Sequence, residues 1–118
     1  MGKNQVLGAN GEAQVANFLI SQGYKIIDRN WRIKEGEIDL IARNLQGEII
    51  FIEVKTRSNE SFGHPLEAIT REKALRLQRL ALAWLAKNGK FGCDFSIDCA
   101  SVIIKGDKAT IDYRRGVL

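Results

Sequence analysis

The chain has 118 residues, 45% of them apolar and 27% charged, with a single Pro, which suits one domain with one buried core and excludes a disordered, collagen-like or mucin-like polymer. Its 18 Lys and Arg against 14 Asp and Glu leave +4 with His neutral, a balance that admits an anionic partner without requiring one. No apolar run reaches membrane-spanning length and the first residues lack a signal-peptide pattern, so the expected location is the cytoplasm, away from membranes.

Asn10 to Gln22 has helical spacing, and Gly23 supplies a left-handed stop. Tyr24 to Arg32 reads as a strand, Lys34-Glu35-Gly36 as a turn, Glu37 to Ala42 as a second strand, and Glu48 to Thr56 as a third, reached through the hairpin connection Asn44-Leu45-Gln46-Gly47. From Ser58 to His64 the chain is polar and reads as a connector or as a loop that closes over a ligand. Pro65 can open a helical turn. Thr70 then caps a long helix running to about Asn88, with Gly89 beyond it. Two further strands are expected at Phe95 to Ile104 and Ala109 to Tyr113. The order α-β-β-β-α-β-β predicts an α/β fold over residues 1–118, a mixed central β-sheet flanked by helices. Ile49-Ile50-Phe51-Ile52 is continuously apolar, as a strand buried on both faces should be.

One His and two Cys, at Cys93 and Cys99, leave no zinc cluster. Both thiols fall in an apolar, strand-like stretch, where an inert buried thiol is expected.

The second and third strands carry charges where apolar residues would be the rule. Residues two apart in a strand share a face, so Glu37 projects with Asp39, and Glu53 with Lys55. If the hairpin pairs these strands, Asp39 and Glu53 converge, and two carboxylates held in a partly dry site repel one another. A divalent cation relieves that conflict. Mg²⁺ takes hard oxygen ligands, typically one or two carboxylates completed by water and substrate phosphate. Asp39, Glu53 and the Val54 carbonyl form such a half-shell for Mg or Mn, and the Lys55 ammonium is placed to orient or deprotonate an attacking water. The plainer account makes Glu53 and Lys55 an exposed ion pair and gives Asp39 an arginine partner.

Gly11-Glu12, Arg29-Asn30-Trp31-Arg32, Gly36-Glu37-Ile38-Asp39-Leu40-Ile41-Ala42, Phe51-Ile52-Glu53-Val54-Lys55-Thr56-Arg57 and Phe62-Gly63-x-Pro65 together resemble the bacterial YraN-like family, in register from about Gly8 to Leu85. That family is similar in fold to restriction-endonuclease-like and Holliday-junction-resolvase-like nucleases, and is also grouped with tRNA-splicing-endonuclease-like domains. The resemblance implies a PD-(D/E)xK triad of Asp39, Glu53 and Lys55, with Glu12 as an added helical acid. Ile38 stands in place of the name-giving Pro, and Ser96-Ile97-Asp98 in place of an expected Arg-Phe-Asp. Glu12 has support of its own: it lies mid-way across the helix face that carries Val15, Ala16, Leu19 and Ile20. Its plainer reading is a first-turn acid behind an Asn10 cap, favoured by the helix dipole.

Positive charge is concentrated. Residues 1–70 hold 8 basic and 9 acidic side chains, 71–90 hold 6 and 1, and 91–118 hold 4 and 4, so the long helix supplies the whole excess. Lys73, Arg76, Arg79, Lys87 and Lys90 fall on one stripe of it, opposite Leu77, Trp84, Ala81, Ala74, Leu85, Leu82 and Leu75. Such a stripe is either a solvated face or a phosphate track. Arg57, with Arg29, Arg32 and Arg43, extends it. The reading that joins these features is a metal-dependent endonuclease acting on DNA, branched or flapped DNA included. By analogy with resolvases it would act as a homodimer. Two alternatives are a nucleic-acid-binding module without turnover and a protein-interaction subunit that uses Trp31 or the basic helix.

Overall fold

The computed structural model describes residues 3–57 and 70–117, with side chains from Asn10 onward. Helix α1 (Lys3–Ser21) is followed by strands β1 (Lys25–Ile33), β2 (Gly36–Arg43) and β3 (Ile49–Arg57), helix α2 (Arg71–Lys87), and strands β4 (Phe95–Lys105) and β5 (Lys108–Arg114). The expected element order holds, and strand ends differ by a residue or so. The exception is α1, which starts seven residues before Asn10. Asn10 is therefore interior to the helix and caps nothing, and Glu12 is well past the first turn. The dipole account of Glu12 falls with it. The polar connector Ser58 to His64 and the Pro65 turn lie outside the described residues.

The five strands form one sheet in the order β1-β2-β3-β4-β5. The first three make an antiparallel meander, β3 and β4 run parallel, and β5 returns antiparallel to β4. A parallel neighbour cannot be reached by a tight turn, so the chain between β3 and β4 must cross over, and α2 is in that crossover. Thr70 Oγ1 accepts from the Lys73 amide at 3.1 Å, so the N-terminus of α2 is capped as the sequence predicts, and at the other end the Asn88 side chain donates to the Trp84 carbonyl at 2.9 Å.

Each face of the sheet has its own core. Ile41, Ile49, Phe51 and Ile97 pack under Leu77, Leu80, Ala81, Trp84 and Leu85 of α2, and Phe51 meets Trp84 edge to face at 5.7 Å between ring centroids. On the other side Leu40, Ala42, Ile50, Ile52, Ala100 and Val102 pack against Val15, Ala16 and Leu19 of α1. Alternation along Ile49–Ile52 thus serves two layers, which is why that run contains no polar residue. Two expected packing positions are displaced. Leu75 and Leu82 are 42% and 39% exposed while Leu80 is buried, because the arc of α2 on the sheet is centred near Leu77 and Trp84 and leaves those two leucines on its flank. Ile20, expected on the apolar face of α1, is 50% exposed. Cys93 precedes β4 in an exposed turn, whereas Cys99 is buried, so only the second thiol meets the expectation.

β1 contains an irregularity. Asn30 has φ 51, the sole non-glycine with positive φ among the described residues. Asn tolerates this left-handed region better than residues without a short polar side chain. Asn30→Ala should cost about 1 kcal/mol and Asn30→Gly much less, measurable by urea denaturation. Equal losses would assign the cost to the side chain rather than the backbone.

Candidate active site

Antiparallel pairing of β2 with β3 runs from Arg43↔Ile49 to Leu40↔Ile52. The next rung would set Asp39 opposite Glu53. The ladder stops there, and Asp39 Oδ2 instead accepts from the Val54 amide at 2.8 Å. The strands part at the two acids, and a side chain from β2 satisfies the β3 amide that the opening releases. The N–H and C=O of one strand residue point to the same edge, so the Val54 carbonyl faces the same opening. Both acids line a cleft of about 250 Å³ with Gly36, Glu37, Lys73 and Arg76.

Three elements bring acidic groups to this point. Asp39 is 8% exposed, and burial pushes its carboxyl up to about 7, with the Glu53 charge adding and the Val54 amide opposing. Glu12 reaches the opening from α1. Burial raises its carboxyl, opposed by a hydrogen bond with Asn30, while Glu37 and Glu53 raise it further and a hydrogen bond with Asp39 lowers it. Asn30 lies on β1 between Arg29↔Leu40 and Trp31↔Ile38, level with Asp39. The sequence reading missed it. Its signal was an Asn inside a strand, a residue type depleted from strands and enriched at positive φ. Glu37 turns outward to Arg32 at 2.7 Å in a largely exposed pair.

Lys55 is exposed, two residues beyond Glu53 and level with Ser101 of β4. Lys73 departs from the basic stripe: its Nζ lies 3.1 Å from Glu53 Oε1. Lys73, Leu77, Leu80 and Trp84 recur at the spacing of one helix face, so the sheet-facing stripe of α2 ends in a cation over the acids. Arg76 lines the acidic cleft and, with Arg79, Ile33, Glu35, Leu80 and Ala83, an adjoining one. Lys87 is exposed in the last turn, and Lys90 lies beyond the end of α2. Arg57 ends β3, half-buried. The Cys99 thiol is pushed up to about 11, by burial first and then by Glu53, which keeps it protonated and unreactive. Asp98 accepts from Ser96 Oγ at 3.2 Å, Tyr113 OH at 2.5 Å and the Gly116 amide at 2.9 Å, tying β4 to the C-terminal turn. It is a structural acid.

Among the described residues no group of three or more His, Cys, Asp or Glu side chains forms a ready metal cage. Asp39 and Glu53 with the Val54 carbonyl fit the other arrangement, a half-shell of two carboxylates and a carbonyl that suits Mg²⁺ or Mn²⁺. The elevated Asp39 carboxyl marks a charge that the protein alone leaves poorly compensated.

The molecule is thus an α/β domain whose mixed sheet opens at two acidic residues. It belongs to the family described as "Uncharacterised protein family UPF0102", whose model matches residues 11–103, which bears out the YraN-like resemblance. A UPF0102 protein of Beutenbergia cavernae is 42% identical over 99% of both chains. One of Leifsonia xyli subsp. xyli is 48% identical over 87% of this chain and 86% of its own, and one of Nocardia farcinica is 44% identical over 99% and 92%. Among solved structures, an EndoMS complex with double-stranded DNA aligns with a TM-score of 0.41 and 19% identity, covering 74% of this chain and 34% of that one. No described helix is long and apolar enough to cross a membrane.

Proposed function

We propose that this protein hydrolyses phosphodiester bonds in DNA with Mg²⁺ or Mn²⁺, at a site made of Glu12, Asp39, Glu53 and Lys55. One observation carries the reading: Asp39 and Glu53 stand at the rung where the β2–β3 ladder opens, with the Val54 amide fixing Asp39. Asp39, Glu53 and the Val54 carbonyl would hold the cation, which supplies Lewis acidity toward the phosphate and acidifies a water. The Val54 amide fixes one Asp39 oxygen, and the carboxyl lines the cleft. The Lys55 ammonium, on the same face as Glu53, orients the attacking water and the phosphate. Glu12, protonated more readily than an ordinary carboxyl, is placed to hold a proton beside Asp39. Arg76, Arg79 and Lys87, with Arg57, provide sequence-independent phosphate contacts. Branched or flapped DNA suits a domain that reads shape, and a resolvase-like role would require a homodimer, seen as a doubled mass in solution.

The rival is a nucleic-acid-binding module without turnover, favoured by the Lys73–Glu53 ion pair, which already offsets part of the acidic charge. The test incubates purified protein with single-stranded, duplex, flap and four-way DNA and structured RNA, with Mg²⁺ or Mn²⁺, then with EDTA. Expected is metal-dependent DNA cleavage that Glu53→Ala removes. Salt-sensitive binding without cleavage would establish the module instead. Absence of any nucleic-acid affinity at low salt would leave a protein-interaction role for Trp31 or the basic helix.

A further inference from the structure

Lys73 breaks a local rule. It is the third residue of α2 after its Thr70 cap, and a cation in the first turn opposes the helix dipole. It also occupies the helix face that otherwise buries Leu77, Leu80 and Trp84, where an apolar residue would be expected. Such exceptions mark positions held for something other than folding. What this position achieves is visible in the contact: Nζ lies 3.1 Å from Glu53 Oε1, with 28% of the Lys73 side chain and 16% of the Glu53 side chain exposed. Thr70 anchors the Lys73 backbone, α2 anchors the stem, and the ammonium lies over the acids.

We infer that Lys73 is a built-in counter-ion that competes with the divalent cation for Glu53 and, once displaced, pairs with a phosphate of the bound nucleic acid. This deepens the metal-dependent reading and rests on it. An ammonium and a divalent cation against one partly dry carboxylate repel each other strongly. An anion between them removes the repulsion, and a phosphodiester oxygen is the anion the substrate brings. The cation and the nucleic acid therefore bind cooperatively: each is held weakly alone and better with the other. Metal alone fills the site only in large excess, and the complete site assembles on its substrate.

The test titrates Mn²⁺, followed by the electron paramagnetic resonance signal of the free ion, into wild type, Lys73→Met and Lys73→Arg without nucleic acid. Circular dichroism checks the fold, and Lys73→Gln replaces the Met variant should that one not fold. Lys73→Met should bind Mn²⁺ about three- to thirtyfold more tightly than wild type, and Lys73→Arg, which keeps the charge, should stay close to wild type. In a Glu53→Ala background the gain from Lys73→Met should vanish, since the competition runs through that carboxylate. Adding a duplex whose phosphates resist cleavage should tighten Mn²⁺ binding to wild type and do so much less for Lys73→Met. Equal or weaker Mn²⁺ binding by Lys73→Met would overturn the inference while leaving the metal site in place. No Mn²⁺ binding by any of the proteins, with or without the duplex, would remove the metal-dependent reading itself and the inference with it.

Discussion

Asp39→Asn is expected to make the metal-free protein more stable at pH 8 and to lower its cleavage rate by at least about 10²-fold. The two effects have one origin. Asp39 titrates near 7 in the folded chain against an ordinary 3.8, so between those values the folded state binds a proton that the unfolded chain releases. Stability from this group is complete below about pH 4 and is lost as pH rises through 7. At pH 8 the loss is at most on the order of 4 kcal/mol, because a tenfold change in proton affinity is worth about 1.36 kcal/mol. Asn does not ionise. Urea melts in EDTA should therefore show wild type and variant alike near pH 4, diverging in favour of the variant as pH rises from 4 to 7, and separated by a constant margin above that. Mg²⁺ at pH 8 should restore wild type and leave the variant unmoved. The catalytic loss follows because partners merely hydrogen-bonded to a metal ligand already contribute about 10–100-fold, and Asp39 would be a ligand itself. A wild type as stable as the variant at pH 8 would mean that Asp39 is not desolvated, and the charge argument for the site would fail.

Gly11→Ala should destabilise the fold by about 2–3 kcal/mol, at the upper end for overpacking a close contact. A Cβ at Gly11 would lie 1.9 Å from Thr56 Oγ1, 2.8 Å from its Cγ2 and 2.9 Å from its Cβ. Rotating the Thr56 side chain exchanges one clash for another and leaves the Cβ contact, so α1 itself must lift from β3. Glu12 is the next residue and moves with the helix, hence cleavage should fall along with stability. Among the described residues the buried threonine hydroxyl has no hydrogen-bond partner. Thr56→Gly removes all three contacts and should recover much of the loss when combined with Gly11→Ala. A double-mutant cycle of melting midpoints measures this. An unchanged midpoint for Gly11→Ala alone would show that α1 does not depend on this contact.

Much of this architecture was legible because it depends on local chemistry. Thr70 and Asn88 mark both ends of α2, Gly23 with φ 91 ends α1, and the unbroken run Ile49 to Ile52 declares a strand covered on two sides. The convergence of Asp39 and Glu53 was legible as well, since one short hairpin fixes their register. What escaped depends on relations between elements. The early start of α1 has no capping signal in Asn10. Leu75 and Leu82 match the apolar pattern, but the placement of α2 on the sheet decides which side of a broad stripe is covered. The wheel position of Lys73 borders both faces and groups it with the outward stripe, and only the acids beneath it turn it inward. Asn30 carries a conformational signal that the strand pattern around it masks.

Asn44 closes the β2–β3 hairpin: its Oδ1 accepts from the Gln46 and Glu48 amides at 3.0 and 2.8 Å, and its Nδ2 donates to Glu48 Oε1 at 3.1 Å. From that clamp the strands are zipped for the four paired positions that end at Leu40 and Ile52. The two acids are thus placed by counting outward from a turn at the opposite end of the sheet. A single residue inserted into either arm would slide the count by one and rotate one carboxylate toward the α1 layer while its partner stayed in the cleft. The hairpin tolerates changes of residue type far better than changes of length, and its turn acts as the ruler for a site it never touches.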